Sequence, residues 1–414
     1  MSDFITFGRV NHIYMATMKK VLDPIAFAFS NIMKSGRNLA SCLIRLFNPV
    51  QKKRILMWSY YFKQYSCNPR AVTEYMLEHY PEYEIYWAFR KKTDISGIDS
   101  RVKCVRFNTL EFQKIANTAE FLVTNCRTAP YGMFWKKRPE QKYLMLWHGG
   151  VALKKIEKDV ADKLSYKYNN MMHKDSEACD LMISGCRRQT DLIKSAFYYD
   201  GEILECGTPR NDIFFDTKRH AEIRKTVLRA FDIPEDHKIV LYAPTFRKPA
   251  TIEPYRIDWQ KVVPELKSSL QTDKVTVLLR LHPNLIGKFD TTSLMTSPEV
   301  KDATRYHDMH ELLCVSDMLI TDYSSSMFDM MILDKPCLIY ATDIEKYDRG
   351  YYFNLRELPF PLAASQEELI QILKDFNLEK YKADCKDFDC TQVGFVEKGE
   401  GSKALAEWIV KHSL

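Results

Sequence analysis

The feature that most restricts this chain is a rhythm. Short apolar runs alternate with segments of helical period, and the alternation occurs twice. From Arg54 the strand-sized runs are "RILMWSYY", "YEIYWAFR", "RVKCVRF", "EFLVTNC", "KYLMLWHG", "CDLMISGC" and "EILECG". Helical patterns such as "PRAVTEYMLEHY" and "RRQTDLIKSAFYY" lie between most of them. A second set, "KIVLYAPT", "VTVLLRLHP", "DMLITDYS" and "KPCLIYATD", alternates with "WQKVVPELKSSL", "SMFDMMILD" and "SQEELIQILKDF". Strands alternating with helices build a mainly parallel sheet covered on both faces. At 414 residues the chain exceeds what one core ordinarily supports. The rhythm therefore predicts two doubly wound, Rossmann-like units, residues 51–212 and 213–414, facing a common cleft. The helical stretch "FFDTKRHAEIRKTVLRAF" joins them near Asp212, and "SKALAEWIVKH" closes the second unit as a helix.

Residues 1–50 differ from the rest. Through Arg54 the chain carries nine basic and two acidic residues, a local net of +7 against +6 for the whole protein. Leu22, Ile25, Ala26, Phe29 and Met33 fall at helical spacing, as do Leu39, Cys42, Leu43, Leu46 and Phe47, with Pro24 and Gly36 as breaks. Apolar faces flanked by Lys and Arg suit helices lying in an anionic membrane interface, on the cytoplasmic face. The competing reading is a pair of helices that covers an edge of the first unit. No run of about eighteen apolar residues predicts a spanning helix, and the first residues lack a signal-peptide layout. Eleven cysteines without C-x-x-C pairs point to reduced, cytosolic thiols. The basic residues are interleaved with apolar faces and lack a nucleic-acid reading motif, which argues against nucleic acid as a partner.

Chemistry-bearing residues gather where strands end. His148-Gly149-Gly150 follows "KYLMLW" and Gly207-Thr208-Pro209-Arg210 follows "EILEC"; Pro244-Thr245-Phe246-Arg247, Arg280-Leu281-His282-Pro283 and Asp322-Tyr323-Ser324-Ser325 close strands of the second set. Ligands of doubly wound sheets bind at that edge. Ser324 and Ser325 stand where a strand gives way to a helix, so free N–H groups and hydroxyls make a phosphate seat without a glycine-rich loop. Asp329, one turn further in, is placed to accept from a ligand hydroxyl. Arg210, Arg247 and Arg280 are candidates for phosphoryl oxygens, which guanidinium binds in pairs. Of ten histidines, only His148 and His282 fall at predicted strand ends, one in each unit, where imidazole can exchange protons near neutral pH. His307 and His310 in "HDMH" have no third ligand at sensible spacing and read as a loop or helix start. "DFD" at Asp387–Asp389 is a weak metal pattern, and neither a dinucleotide fingerprint nor a P-loop is present.

The segments "LWHGGVALKK", "GTPRND", "LYAPTFR", "RLHP", "LITDYSSSMFD" and "YDRGYY", in this order, resemble the CDP-glycerol glycerophosphotransferase family of teichoic-acid primases, polymerases and related capsule enzymes. The resemblance runs from about Lys142 to Tyr352. It implies a two-domain GT-B fold, peripheral membrane attachment, and transfer of glycerol phosphate from CDP-glycerol to a lipid-linked glycan acceptor with release of CMP. It assigns catalysis to His148 and His282. Nucleotide-substrate contacts match at Arg210, Pro244, Thr245, Arg280, Ser324, Ser325 and Asp329; Trp147, Gly149, Gly150, Val151, Arg247 and Leu281, beside these motifs, are further candidate substrate contacts. Asp343, Arg349 and Gly350 match a further signature of open role. His148 would take the proton of an acceptor hydroxyl, while Ser324, Ser325, Arg280 and His282 hold the diphosphate. The polymerase pattern H-G-T-P-L-K-K is here His148 followed by Gly149-Gly150-Val151-Ala152-Leu153-Lys154-Lys155, one residue longer and without Thr-Pro, closer to primase-like and capsule-associated members. CDP-ribitol as donor, and a GT-B glycosyltransferase using a nucleotide-sugar, stay open as alternatives. No protein metal cage is evident, which leaves room only for a loosely held Mg²⁺.

Overall fold

The computed structural model describes residues 39–127, 137–248, 250–288, 290–345 and 350–414. The helical spacing expected over Leu22–Met33, and Arg349 of the "YDRGYY" signature, lie outside these residues.

Seven strands form the first sheet: β1 Gln51–Trp58, β2 Glu84–Phe89, β3 Lys103–Arg106, β4 Ala119–Thr124, β5 Lys142–Met145, β6 Leu181–Ser184 and β7 Glu202–Glu205. Their order is β3-β2-β1-β4-β5-β6-β7, parallel throughout. Six form the second: β8 Lys238–Tyr242, β9 Val275–Leu279, β10 Val300–Asp302, β11 Met318–Thr321, β12 Cys337–Tyr340 and β13 Leu362–Ala363. These are ordered β10-β9-β8-β11-β12-β13, again all parallel. Strand order reverses between β1 and β4 in one sheet and between β8 and β11 in the other, and a crevice at the carboxyl ends opens at each reversal.

The helices are α1 (39–47), α2 Cys67–His79, α3 Leu110–Thr118, α4 Tyr166–Ala178, α5 Arg187–Ala196, α6 Thr217–Ala230, α7 Trp259–Ser269, α8 Met309–Val315, α9 Ser326–Ile332, α10 Gln366–Lys374, α11 Leu378–Phe388 and α12 Gly401–Lys411. The central strands are buried on both faces. Ile55, Leu56, Met57 and Trp58 of β1 have no exposed surface, and neither do Met318, Leu319 and Ile320 of β11. A strand covered on both sides reads as an unbroken apolar run, which is why these runs were legible.

One assignment changes. The closing helix α12, expected in the second unit, packs on the first: Leu405, Ala406 and Ile409 share a core with Ile55 of β1 and Val72 and Met76 of α2. Residues 394–396 carry the chain across, pairing with the loop after β6 through Arg187 N to Gly394 O (2.9 Å) and Val396 N to Gly185 O (3.0 Å). Asp212 then receives Gly401 N at 2.8 Å and Ser402 N at 2.7 Å, which starts the helix. The first unit's core needs an apolar face that its own segment does not provide, and α12 supplies it.

Candidate active site between the two sheets

His148 follows β5 after a left-handed residue, Trp147 (φ 49°), which turns the chain off the strand. Its Nδ1 lies 2.8 Å from the carbonyl oxygen of Asn125, at the end of β4. A carbonyl only accepts, so Nδ1 carries the hydrogen and Nε2 keeps a lone pair. Burial pulls the imidazolium pKa below its ordinary value, opposed by the Asn125 carbonyl and aided by the Arg210 charge. The ring is therefore neutral, with one basic nitrogen. Asn68, 1% exposed, fixes this loop: its Nδ2 donates to Leu146 O (2.9 Å) and Trp147 O (3.0 Å), and its Oδ1 accepts from Arg210 N (3.0 Å).

Arg210 joins the two units. Its Nη1 donates to His148 O at 2.7 Å, and its Nη2 lies 3.1 and 3.2 Å from the two carboxylate oxygens of Asp329 in α9. The sequence suggested separate duties for these two residues, phosphate for one and a ligand hydroxyl for the other. In the structure each is the other's partner. Five buried polar atoms nearby have no hydrogen-bond partner: Arg210 Nε, Thr208 Oγ1, Asn211 Oδ1, Asn125 Nδ2 and His310 Nε2. Folded proteins seldom leave such groups unpaired, so each is a point where water or ligand can be met. His310, set aside in sequence as a loop or helix start, is the second residue of α8 and stands 4.0 Å from Asp329 Oδ2. Burial, with Arg210 next, lowers its pKa to about 4.

The loop after His148 enters the second unit. Val151 and Leu153 are buried in one core cluster with Tyr323 and Met327, and Lys155 N donates to Gly350 O at 3.0 Å. Val151, expected to touch substrate, is a core residue because the loop must be anchored to cross between units. Gly149 O accepts from Gln189 Nε2 at 3.1 Å. A β-carbon on Gly149 would lie 3.9 Å from Ser325 Oγ, and one on Gly150 would lie 3.8 Å from Thr208 Oγ1. These glycines thus bring the His148 loop against the serine junction and the "GTPRND" segment.

In the second unit, Ser324 does the capping: Ser326 N donates to its Oγ at 3.3 Å, and the Ser324 and Ser326 hydroxyls are 2.9 Å apart. Ser325 makes no side-chain cap bond. Ser324 thus serves the helix start, and the Ser325 hydroxyl takes no part in it. His282 has the opposite tautomer to His148. Its Nδ1 accepts from Asn284 N at 3.1 Å, so Nε2 carries the hydrogen. Although the residue is exposed, packing beneath the ring, with the charges of Lys154 and Arg280, lowers its pKa and keeps it a neutral donor. Arg280 donates to Tyr306 O, and among the described residues it forms no ion pair. Leu281 packs in the core, with its N–H given to Thr304 Oγ1 (3.2 Å), so it anchors the "RLHP" loop and does not contact a ligand through its side chain.

Arg247, read in sequence as a phosphate candidate, is also placed differently. It is 6% exposed and its guanidinium is spent inside the protein. Nε and Nη2 reach Asp343 at 3.0 and 3.1 Å, Nη1 pairs with Asp322, and the guanidinium carbon lies 4.9 Å from the Tyr323 ring centroid. Asp322, 1% exposed, also accepts Thr245 N at 2.9 Å. Arg247 thus fixes Pro244 and Thr245 beside the serine junction from behind; Pro244 is buried and the Thr245 hydroxyl accepts from Arg247 Nη1 at 3.1 Å.

Sequence reading passed over Asn125, although it closes β4 just as His148 closes β5. Asn68 and Glu397 carried no comparable signal. Glu397 lies on the returning segment and accepts from Thr208 N (2.9 Å) and Asn211 Nδ2 (3.2 Å); burial pushes its carboxyl up to about 7.

Residues 41–408 match the family described as CDP-glycerol:poly(glycerophosphate) glycerophosphotransferase. The teichoic acid poly(glycerol phosphate) polymerase of Bacillus subtilis (strain 168) is 33% identical over 363 residues, 85% of this chain and 47% of that protein. The teichoic acid glycerol-phosphate transferase of Staphylococcus aureus (strain NCTC 8325 / PS 47) is 32% identical over 338 residues, 79% of this chain and 84% of that one. The structure of the wall teichoic acid polymerase TagF, as a histidine-to-asparagine variant with CDPG soaked in, matches with a TM-score of 0.78 and 29% identity over 95% of this chain and 97% of that chain. The chain spans 47% and 60% of the length of the first two curated relatives it matches. A match that takes in both sheets, the loops at their carboxyl ends and the returning helix covers the whole architecture described above, and the chain belongs to the CDP-glycerol:poly(glycerophosphate) glycerophosphotransferase family.

Proposed function

We propose that this chain transfers glycerol phosphate from CDP-glycerol to a hydroxyl of a lipid-linked glycan acceptor, releasing CMP, in the synthesis of a teichoic-acid-like polymer. The observation that carries the reading is the pair of opposite histidine tautomers, a lone pair on His148 and an N–H on His282. His148 Nε2 takes the proton of the acceptor hydroxyl. That oxygen attacks the β-phosphorus, which bears the glycerol, and the bond to the bridging oxygen breaks. CMP leaves with the electron pair, its phosphate met by His282 Nε2–H, Arg280 and the Ser325 hydroxyl. The two parallel sheets then act as the halves of a GT-B enzyme, the first holding acceptor and the second the nucleotide. CDPG in the TagF variant supports the donor.

Thermal shift and product mass test this together. CDP-glycerol is expected to raise the melting temperature and yield acceptor heavier by glycerol phosphate, while UDP-sugars do neither. Protection by a UDP-sugar without protection by CDP-glycerol or CDP-ribitol would return the protein to the glycosyltransferases. Replacing both Ser324 and Ser325 by alanine is expected to weaken CDP-glycerol binding by about 1–3 kcal/mol, through the lost Ser325 bond to phosphate and the helix start that Ser324 no longer holds. Cytidine, titrated into the same variant, should lose less; equal losses would put the phosphate elsewhere.

A membrane surface as the place of work is supported by α1, whose apolar side chains face outward among the described residues. Its polar side faces the protein: Ser41 Oγ lies 3.3 Å from Gln113 Oε1, and Arg45 Nε donates to Asn117 Oδ1 at 2.7 Å. Its apolar side faces outward, with Leu39, Leu43, Leu46 and Phe47 at 63, 51, 74 and 75% exposure. A helix that only sealed the first unit would present the opposite face. No helix among the described residues is long and apolar enough to cross a membrane, and an outward apolar stripe suits the plane of an interface. Changing Leu43, Leu46 and Phe47 together to aspartate is expected to abolish co-sedimentation with anionic liposomes. Melting temperature should hold, because among the described residues those side chains are mostly exposed. A triple variant that still sediments would remove α1 from membrane contact.

A further inference from the structure

Tyr60 stands at the carboxyl end of β1, next to β4, at the strand-order reversal of the first sheet. Tyr60, Tyr61 and Phe62 have φ values of 40, 60 and 69°, three successive side-chain-bearing residues in the left-handed region. Such a run persists only where the surroundings impose it, and it tends to be retained at working sites. The restraints are visible. Tyr60 N donates to Asn125 Oδ1 at 2.9 Å, Tyr61 N to Cys126 Sγ at 3.3 Å, and Arg90 N and Nε to Phe62 O and Tyr61 O at 2.8 and 3.0 Å. Asn125 is the residue whose main-chain oxygen holds His148 Nδ1. One side chain and one carbonyl of Asn125 therefore set the Tyr60 backbone and the His148 tautomer together.

The outcome of that arrangement is a clamp. The Tyr60 ring meets the imidazole edge-on, with centroids 5.8 Å apart at 63°, while Trp147 lies 4.5 Å from the same ring at 33°. Tilted and edge-on contacts of this kind fix ring orientation. We propose that Tyr60 is a positioning residue for His148, its ring holding the imidazole plane against Trp147 and keeping water from that side, so that the unprotonated nitrogen is presented to the acceptor hydroxyl. The proposal rests on the reading of His148 as the base. Arg210 is the charged group that bears on His148, whereas Cys67 of α2, Arg210 and Asp308 bear on the Tyr60 phenol. Burial keeps that phenol protonated, so the ring and not a phenolate faces His148.

The test compares Tyr60→Phe, Tyr60→Leu and Tyr60→Ala by the pH profile of kcat, the KM for CDP-glycerol and thermal unfolding. Tyr60→Ala is expected to lower kcat about tenfold, with KM changed less than twofold. Its acid limb should also move to higher pH, because a rehydrated His148 takes up its proton more readily. Tyr60→Phe should restore both the rate and the limb. If Tyr60→Ala does not fold, Tyr60→Leu, which fills the space without an aromatic edge, must show the same direction. Wild-type rate and profile in the folded Leu or Ala variant would overturn the clamp, as would a Phe variant as slow as Ala. Should His148→Ala itself keep full activity, the reading of His148 fails and the clamp with it; should His148→Ala be inactive while the Tyr60 variants are normal, only the clamp fails.

Discussion

Replacing His148 with alanine is expected to lower turnover by roughly 10²-fold or more while leaving CDP-glycerol affinity nearly intact. The imidazole belongs to the first sheet, and its Nδ1 is spent on Asn125 O. On the proposed reading, what alanine removes is Nε2 as a proton acceptor for the second substrate, not a contact to the donor. His282→Ala should behave differently. That ring carries its N–H on Nε2 and stands beside Arg280 and Lys154, so its loss reaches both turnover and donor binding. The pH profile gives an independent reading. A base must be unprotonated, and burial holds the His148 pKa below the ordinary imidazole value of about 6.5. Turnover should thus persist as pH falls through that value and decline only below it. Single-turnover rates with a soluble acceptor, set against donor affinity measured by calorimetry, separate the two effects. Near-normal turnover in His148→Ala would defeat the role, and a large loss of donor affinity would move His148 to the nucleotide.

The contrast between these histidines shows where sequence reading reaches and where it stops. Position at the end of a strand was legible, because parallel strands buried on both faces appear as apolar runs and the residue after each run faces the crevice. That logic located His148, His282, the serines and the arginines. The tautomers were not legible, since each depends on a main-chain group: Asn125 O lies 23 residues away from His148, while Asn284 N lies two residues from His282. Two of the three arginines have partners that position alone does not reveal. At a strand end an arginine reads as a phosphate ligand, yet Arg210 meets Asp329 across 119 positions and Arg247 meets Asp322 and Asp343 across 75 and 96. Nothing in local spacing records a partner so distant. The same limit hid α12, whose apolar face is evident in sequence but whose destination, α2 and β1, is not.

Arg247→Ala separates the two duties that an arginine at this strand end can have. A phosphate ligand, once removed, costs donor affinity and leaves the empty protein as stable as before. The structure predicts the reverse order of effects. Asp322 is 1% exposed, and Arg247 is its ion-pair partner; truncating the guanidinium leaves that carboxylate buried with no compensating cation. Breaking a buried pair from one side typically costs about 3–5 kcal/mol, and in a unit of this size that lowers the melting temperature by about 10 °C. Arg247→Lys keeps the charge but cannot reach Asp322 and Asp343 in parallel, so it should recover only part of the loss. Pairing Arg247→Met with Asp322→Asn should cost less than the two single changes added together, because neither charge is then stranded. The pH dependence has a defined sign. Burial works to raise the Asp343 pKa, but Arg247 and Tyr323 together hold it below the ordinary aspartate value. Its contribution is present above about pH 3.9 and is lost as pH falls through the lowered value; Arg247→Ala should remove that acid-side dependence. Denaturant melts of the protein without nucleotide decide the matter. A folded Arg247→Ala variant with an unchanged midpoint and weakened CDP-glycerol binding would return Arg247 to the phosphate, and with it the "PTFR" segment to direct contact with the donor.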